Sequence, residues 1–137
     1  MKILIMGLPG SGKTTLAKAL YKKLDCVWHN ADEVRKQFDD WDFSYEGRKR
    51  QARRMRVLAE ESKASGEKYV ICDFVAPTKE MRDEFNAVFT VWVNRITWGR
   101  FADTNAVFEP PEEFDVIIPP GKTVEEEVEI VLEKLHG

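Results

Sequence analysis

The sequence has few of the features that mark secreted, membrane-spanning or metal-centred proteins. It contains two cysteines, Cys26 and Cys72, each inside an apolar run and without a Cys-x-x-Cys or metal-type neighbour. We expect both to be buried thiols in a reducing compartment. No stretch approaches the roughly 20 consecutive apolar residues of a membrane span, and Met1 leads directly into a strand pattern instead of a leader peptide. These absences favour a cytoplasmic protein.

Repeats, low-complexity tracts and linkers are also missing, so residues 1–137 are predicted to form one domain. The net charge of −3 gives no overall attraction to nucleic acid, but the charges are unevenly distributed. One segment is crowded with basic residues, namely Arg48, Lys49, Arg50, Arg53, Arg54 and Arg56. We therefore expect one basic face.

Short apolar runs alternate with amphipathic segments along the chain. Strands are predicted at 2–6, 26–29, 69–72, 88–93 and 116–118, and helices at 13–24, 32–38, 45–65, 79–85 and 124–135. Residues 94–114 contain Pro110-Pro111 and few apolar repeats, and are predicted to form a short lid. The pattern indicates an α/β fold with a five-stranded parallel sheet and helices on both faces, where ligands bind beyond the carboxyl ends of the strands.

The strongest motif lies between the first strand and the first helix. Gly7-Leu8-Pro9-Gly10-Ser11-Gly12-Lys13-Thr14 matches G-x-x-x-x-G-K-[ST] at every fixed position, in the context of a P-loop NTPase fold. The motif predicts that ATP is bound by Gly7, Pro9, Gly10, Ser11, Gly12, Lys13, Thr14 and Thr15. Lys13 would contact the β and γ phosphates, and the Thr14 hydroxyl would bind Mg²⁺. A glycine-rich turn that only packs closely would explain the glycines but not the Lys-Thr pair.

Candidate acceptor-side residues follow the second and third strands. Asp32 is a candidate for the group that orients or deprotonates an attacking hydroxyl, and Arg35 for holding a phosphate. Asp73 ends the third apolar run, which suits an Mg²⁺ carboxylate or an acceptor-binding group, and Phe74 is a candidate for stacking on a base. Helix capping by Asn30 or Asp32, turn formation by Asp73 and core packing by Phe74 are the alternatives.

Basic side chains on the long predicted helix extend this set. Arg48 and Gln51 fall near one helical face with Arg54 beside them, and the three are predicted to bind an anionic acceptor, the alternative being a solvated surface. Arg95 and Arg100 follow the fourth strand, and Arg100 is the better candidate for a lid arginine that stabilises the transferring phosphate.

Together, the P-loop, Phe43-Ser44-x-x-x-Arg48-x-x-Gln51-x-x-Arg54 and Phe74-Val75-Ala76-Pro77 resemble the adenylylsulfate (APS) kinase family over most of the chain. The resemblance implies that Arg48 and Arg54 match arginines that bind the sulfonucleotide, that Phe74 matches an adenine-stacking phenylalanine, and that Phe108-Glu109-Pro110-Pro111 ends the lid.

The departures from that family lie around the acceptor. Its Asp-Gly-Asp is Asn30-Ala31-Asp32 here, its asparagine on the long helix is Gln51, and its lid is shortened. Asn30-x-Asp32-Glu33-x-Arg35 and Asp73 also resemble residues of phage polynucleotide kinases, which implies that Asp32 is the catalytic base. A small domain with both sets of features resembles the phage-type kinases that phosphorylate 5-hydroxymethyluracil in DNA, and such a protein would act in the host cytoplasm.

The sequence therefore predicts an ATP- and Mg²⁺-dependent kinase that transfers the γ-phosphoryl group to a nucleotide-type hydroxyl. The leading acceptor is the hydroxymethyl group of 5-hydroxymethyluracil in DNA, and the alternative is the 3′-hydroxyl of APS. A nucleotide-binding regulatory switch is an alternative of another class. A guanine-reading Asn-Lys-x-Asp run does not follow the fourth predicted strand, which argues against a GTPase.

Overall fold

The computed structural model of the chain describes residues 1–95 and 108–137. Five strands are present in this part: β1 (Lys2–Met6), β2 (Cys26–Asn30), β3 (Tyr69–Asp73), β4 (Phe89–Val93) and β5 (Val116–Ile118). The helices are α1 (Lys13–Lys23), α2 (Ala31–Phe38), α3 (Tyr45–Ala64), α4 (Lys79–Phe85) and, here numbered α5, Val124–His136. The predicted elements agree with these bounds to within one or two residues.

All five strands pair in parallel, in the order β2-β3-β1-β4-β5. The predicted five-stranded parallel sheet is confirmed. Because parallel strands place their carboxyl ends at one edge, the segments that follow β1, β2 and β3 come together there. The P-loop, the start of α2 and Asp73 are consequently neighbours, and Thr14 contacts Asp73 across 59 positions of sequence.

Two hydrophobic clusters place helices on both faces of the sheet. One face packs strand residues such as Ile5 and Val91 against α1 and α5. The other packs Leu4 and Cys72 against α3 and α4, with Met55 at the centre of α3. Successive residues of β1 point to opposite faces and are buried on both, as expected of a central parallel strand.

Side-chain caps mark where α3, α4 and α5 begin. Ser44, Thr78 and Thr123 each accept a hydrogen bond from a backbone N–H in the first turn of α3, α4 and α5. In the described ranges, no helix is both long and apolar enough to cross a bilayer.

Candidate active site

The P-loop runs from the end of β1 to the start of α1, and its path requires glycine. A Cβ atom on Gly7 would lie 2.6 Å from the carbonyl oxygen of Val93. Gly12 has a φ of 98°, in the left-handed region that disfavours other residues. Since α1 begins at Lys13, the positive end of its dipole and its unpaired N–H groups face the loop. The backbone thus has the path that phosphate binding by the motif requires, and phosphate binding by these residues stays a prediction.

Two polar side chains inside this loop lack strong partners. The Lys13 ammonium donates to the carbonyl of Leu8 at 3.1 Å. Burial lowers the pKa of Lys13, and the carboxylates of Asp73 and Asp32 oppose that shift. The Ser11 hydroxyl is buried and has no hydrogen-bond partner among the described residues. A phosphate held in the loop would satisfy both groups.

A hydrogen-bond network surrounds Asp73 at the end of β3. One carboxylate oxygen accepts from the Trp28 indole at 2.6 Å, and the other accepts from the Thr14 hydroxyl at 3.2 Å. The Asn30 amide donates to both carboxylate oxygens and to Thr14. Burial raises the pKa of Asp73 above its ordinary value, while the bonds from Trp28 and Asn30 and the charge of Lys13 act against this shift.

The adjacent oxygens of Thr14 and Asp73 suit a hard cation. Within the described residues no group of three or more His, Cys, Asp and Glu side chains could hold a metal. Mg²⁺ in phosphoryl-transfer sites typically takes one or two protein ligands and completes its shell with phosphate and water. The donor set therefore fits Mg²⁺ that arrives with a nucleotide.

The start of α2 is capped by Asn30 and not by Asp32. The Asn30 side chain accepts from the Glu33 N–H at 3.0 Å and is the N-cap. Asp32 is one residue inside the helix, exposed, and lines the same cleft as Lys13. The cap alternative for Asp32 was wrong, and its carboxylate remains available to a ligand.

A cleft of about 890 Å³ connects the P-loop to α2, α3 and the segment after β3. Most of the predicted site residues line it: Pro9, Gly10, Lys13, Thr14, Asp32, Arg35, Arg48, Gln51, Asp73 and Phe74. Residues 74–77, which we call the acceptor loop, form one wall. Ala76 in this loop has a φ of 46°, a strained value for a residue other than glycine.

Arg35 also lines the cleft and is held by backbone carbonyls. It is 4% exposed and donates to the backbone carbonyls of Asp40 and Asp42 at 2.9 and 3.1 Å. Its guanidinium carbon lies 4.3 Å from the ring centroid of Phe43, which also lines the cleft. Burial lowers the pKa of Arg35, and Asp40 opposes this. A cationic group stacked on an aromatic ring is suited to an anionic, aromatic ligand.

Gln51 and Arg54 are both hydrogen-bonded to other groups of the protein. The Gln51 amide donates to the Ala31 carbonyl at 3.0 Å and accepts from Arg54 at 2.9 Å, so it ties α3 to the start of α2. Arg54 also pairs with Asp40 at 3.0 Å and is not among the residues that line the cleft as described. Acceptor binding by Arg54 stays a prediction that this placement does not favour.

Phe74 is a less accessible stacking surface than the sequence suggested. Its side chain is 6% exposed and packs edge to face on Phe85, with ring centroids 5.3 Å apart. Phe43 is 54% exposed and projects at the cleft. Base stacking by Phe74 stays a prediction, and Phe43 presents the larger ring area to a ligand.

The predicted basic face of α3 is largely neutralised. Its cations pair with carboxylates at 2.8 to 3.0 Å, in the pairs Lys49–Glu80, Arg50–Asp40, Arg53–Glu84, Arg54–Asp40 and Arg56–Glu60. A surface paired in this way attracts a polyanion less than its cation count suggests. Arg48 lines the cleft and donates to the carbonyl of Phe43 at 2.8 Å.

Arg95, at the end of the described segment after β4, reaches the other side of the P-loop. Its Nη1 atom lies 2.7 Å from where a Cβ on Gly12 would be. Arg100 and most of the predicted lid lie outside the described residues, so the lid role of Arg100 stays a prediction.

Two residues of the site were not assigned from the sequence. Trp28 supplies the shortest bond to Asp73, and Phe43 carries the stacked Arg35. Phe43 had a signal, because it begins the Phe43-Ser44 motif that resembles the APS kinase family. No sequence signal indicated a role for Trp28 in the site, because a tryptophan in a short apolar run is typical of the hydrophobic core.

The chain is similar in sequence to one family of known kinases. A family model described as adenylylsulphate kinase matches residues 1–97. No curated protein sequence matches the chain. The family match includes the P-loop, the cleft and every described candidate site residue.

Solved structures share the fold. The Mycobacterium tuberculosis APS kinase in complex with AMPPNP and APS has a TM-score of 0.78 and 18% identity, covering 99% of this chain and 97% of that one. A sugar kinase from Janibacter has a TM-score of 0.81 and 18% identity, covering 98% and 94%. The hexameric APS kinase from Thiobacillus denitrificans has a TM-score of 0.75 and 26% identity, covering 98% of this chain but 28% of that one. At these identities the structural likeness establishes the fold.

Proposed function

This chain belongs to the adenylylsulphate kinase family, and from that membership and the cleft we propose that it phosphorylates the 3′-hydroxyl of APS with ATP. The enzyme is a phosphotransferase with an alcohol acceptor. The observation that supports the choice of acceptor is the part of the cleft wall where Arg35 stacks on Phe43. Such a wall fits a small nucleotide that combines a base with a phosphosulfate.

In the proposed reaction, the P-loop N–H groups and Lys13 hold the β and γ phosphates. Thr14 and Asp73 would hold Mg²⁺, which when bound neutralises charge on those phosphates. Asp32 accepts the proton of the acceptor hydroxyl as its oxygen attacks the γ-phosphorus and ADP leaves. The protein contributes mainly position and charge.

The test is to offer radiolabelled ATP and Mg²⁺ with each acceptor in turn. We expect labelled product with APS and little acceptor-independent hydrolysis. Hydrolysis at the same rate without any acceptor would instead indicate a nucleotide-dependent regulatory switch.

Substitutions test the roles of individual residues. Lys13→Ala should lower kcat by roughly 10²-fold or more, because it removes a cation from the transferring group. Asp32→Asn should lower kcat by roughly 10²- to 10⁴-fold, the usual contribution of general-base catalysis. Lys18→Ala and Glu33→Gln are the matched controls on the same helices, where both side chains are exposed. Near-normal turnover by Asp32→Asn would show that another group takes the proton.

The second candidate acceptor is the hydroxymethyl group of 5-hydroxymethyluracil in DNA. It is favoured by Asn30, which replaces the family's aspartate and binds Asp73 and Thr14. The ion pairs along α3 favour the smaller acceptor, since DNA binding draws on unpaired cations. Label on hydroxymethylated DNA and none on APS would reverse the order of the two candidates.

A further inference from the structure

Glu127 is a buried carboxylate that the proposed reaction does not use. It lies in the first turn of α5, is 0% exposed, and neither of its oxygens has a hydrogen-bond partner among the described residues. An ionised carboxylate in such a place is costly unless a cation is close. Its Oε2 atom lies 3.2 Å from Nη1 of Arg95.

Arg95 connects this carboxylate to the P-loop. Its Nη1 atom is also 2.7 Å from the Cβ position of Gly12, so the guanidinium rests on the loop backbone. Its Nη2 atom donates to the Lys122 carbonyl at 3.3 Å. The cation is therefore fixed from three sides, by α5, by the loop before α5 and by the P-loop.

The way in which Arg95 is held limits what it can contact. Its two terminal nitrogens face Glu127 and the Lys122 carbonyl, so the edge that would grip a phosphate is directed at the protein. The Arg95 side chain is 29% exposed among the described residues, and the planar face of a guanidinium suits stacking on a flat ring. Nucleotide phosphates in the P-loop would place the rest of the nucleotide nearby.

We propose that Glu127 is a positioning residue for the nucleotide: its buried carboxylate fixes Arg95 against the P-loop so that the guanidinium face meets the base of ATP. This inference rests on the proposed ATP binding. It adds a residue 114 positions from Lys13 in sequence to the nucleotide side of the site. Without this carboxylate Arg95 is mobile, and the base of ATP no longer has a fixed guanidinium to stack on.

The experiment compares two probes, a fluorescent ADP analogue and inorganic tripolyphosphate, which lacks a base. Dissociation constants with Mg²⁺ are measured for the wild type, Glu127→Gln, Arg95→Lys and Glu129→Gln, an exposed control on the same helix. We expect Glu127→Gln and Arg95→Lys to weaken the ADP analogue roughly three- to tenfold, the range of a cation stacked on a ring. Tripolyphosphate affinity and the control should be unchanged.

A double variant separates positioning from a merely structural role. Glu127→Gln combined with Arg95→Lys should bind the ADP analogue no more weakly than Arg95→Lys alone, because Glu127 acts through Arg95. Additive losses, equal losses for both probes, or no loss for Glu127→Gln would each overturn the proposal. If Glu127→Gln fails to fold, the comparison of the two probes with Arg95→Lys still decides whether the guanidinium meets a base. A wild type that binds neither probe would refute the proposed function itself.

Discussion

Replacing Trp28 by phenylalanine tests the network around Asp73 most directly. The indole N–H donates to the Asp73 carboxylate at 2.6 Å, and Asp73 is 2% exposed. Phenylalanine keeps an aromatic ring beside Tyr21, whose centroid lies 6.0 Å from that of Trp28, but it removes the donor. The substitution therefore isolates one charge-assisted hydrogen bond more cleanly than alanine would.

The expected loss follows from the kind of bond removed. Hydrogen bonds to charged groups contribute about 1.5 to 3 kcal/mol, and Asp73 retains donors from Asn30 and Thr14. We therefore expect the free energy of unfolding to fall by about 2 kcal/mol, which in a chain of this length lowers Tm by roughly 6 °C. Urea denaturation followed by circular dichroism measures the first quantity, and a thermal scan the second.

Trp92→Phe is the matched control. Trp92 is half-buried, and its ring packs on Phe114 with centroids 5.5 Å apart. Equal losses for the two tryptophan variants would refute the reasoning. A double-mutant cycle with Asp73→Asn adds a second check. In the Asp73→Asn background, the loss in free energy of unfolding caused by Trp28→Phe should be smaller by at least about 1 kcal/mol. Additive losses would show that the indole stabilises by packing.

Three further predictions concern other parts of the chain. Arg82 donates to the acceptor-loop carbonyl of Ala76 at 2.7 Å and to the Glu109 carbonyl at 2.9 Å. Arg82→Ala should therefore raise KM for the acceptor several-fold without changing the affinity for ATP. An equal change in KM for the acceptor and in ATP affinity would contradict this prediction. Burial raises the pKa of Cys26 to about 11 and that of Cys72 further, so thiol reagents at pH 8 should label the native protein far more slowly than the urea-unfolded chain. Burial lowers the pKa of His29, so the unfolded chain binds a proton more readily; stability should fall as pH drops below about 6.5, with a shallower fall in His29→Asn.

Most of the fold was predictable because its signals are local. Apolar runs of five residues, polar caps and the P-loop glycines each depend on neighbours in sequence. The alternation of strands and helices then limits the sheet to parallel pairing, which is confirmed, whereas the strand order β2-β3-β1-β4-β5 was not predicted. The chemistry of the P-loop was readable for the same reason, since all of its groups lie within eight consecutive positions.

What the sequence alone determined is the fold class, the position of the P-loop motif and the kind of reaction. Tertiary structure decided the partners: that Asn30, and not Asp32, caps α2, that Asp40 neutralises two arginines of α3, and that Glu127 reaches the P-loop through Arg95. These outcomes depend on distances between segments far apart in the chain. The sequence does not show whether a basic side chain will pair with a carboxylate. The packing of α2, α3 and α5 on the sheet decides which basic side chains form ion pairs within the protein.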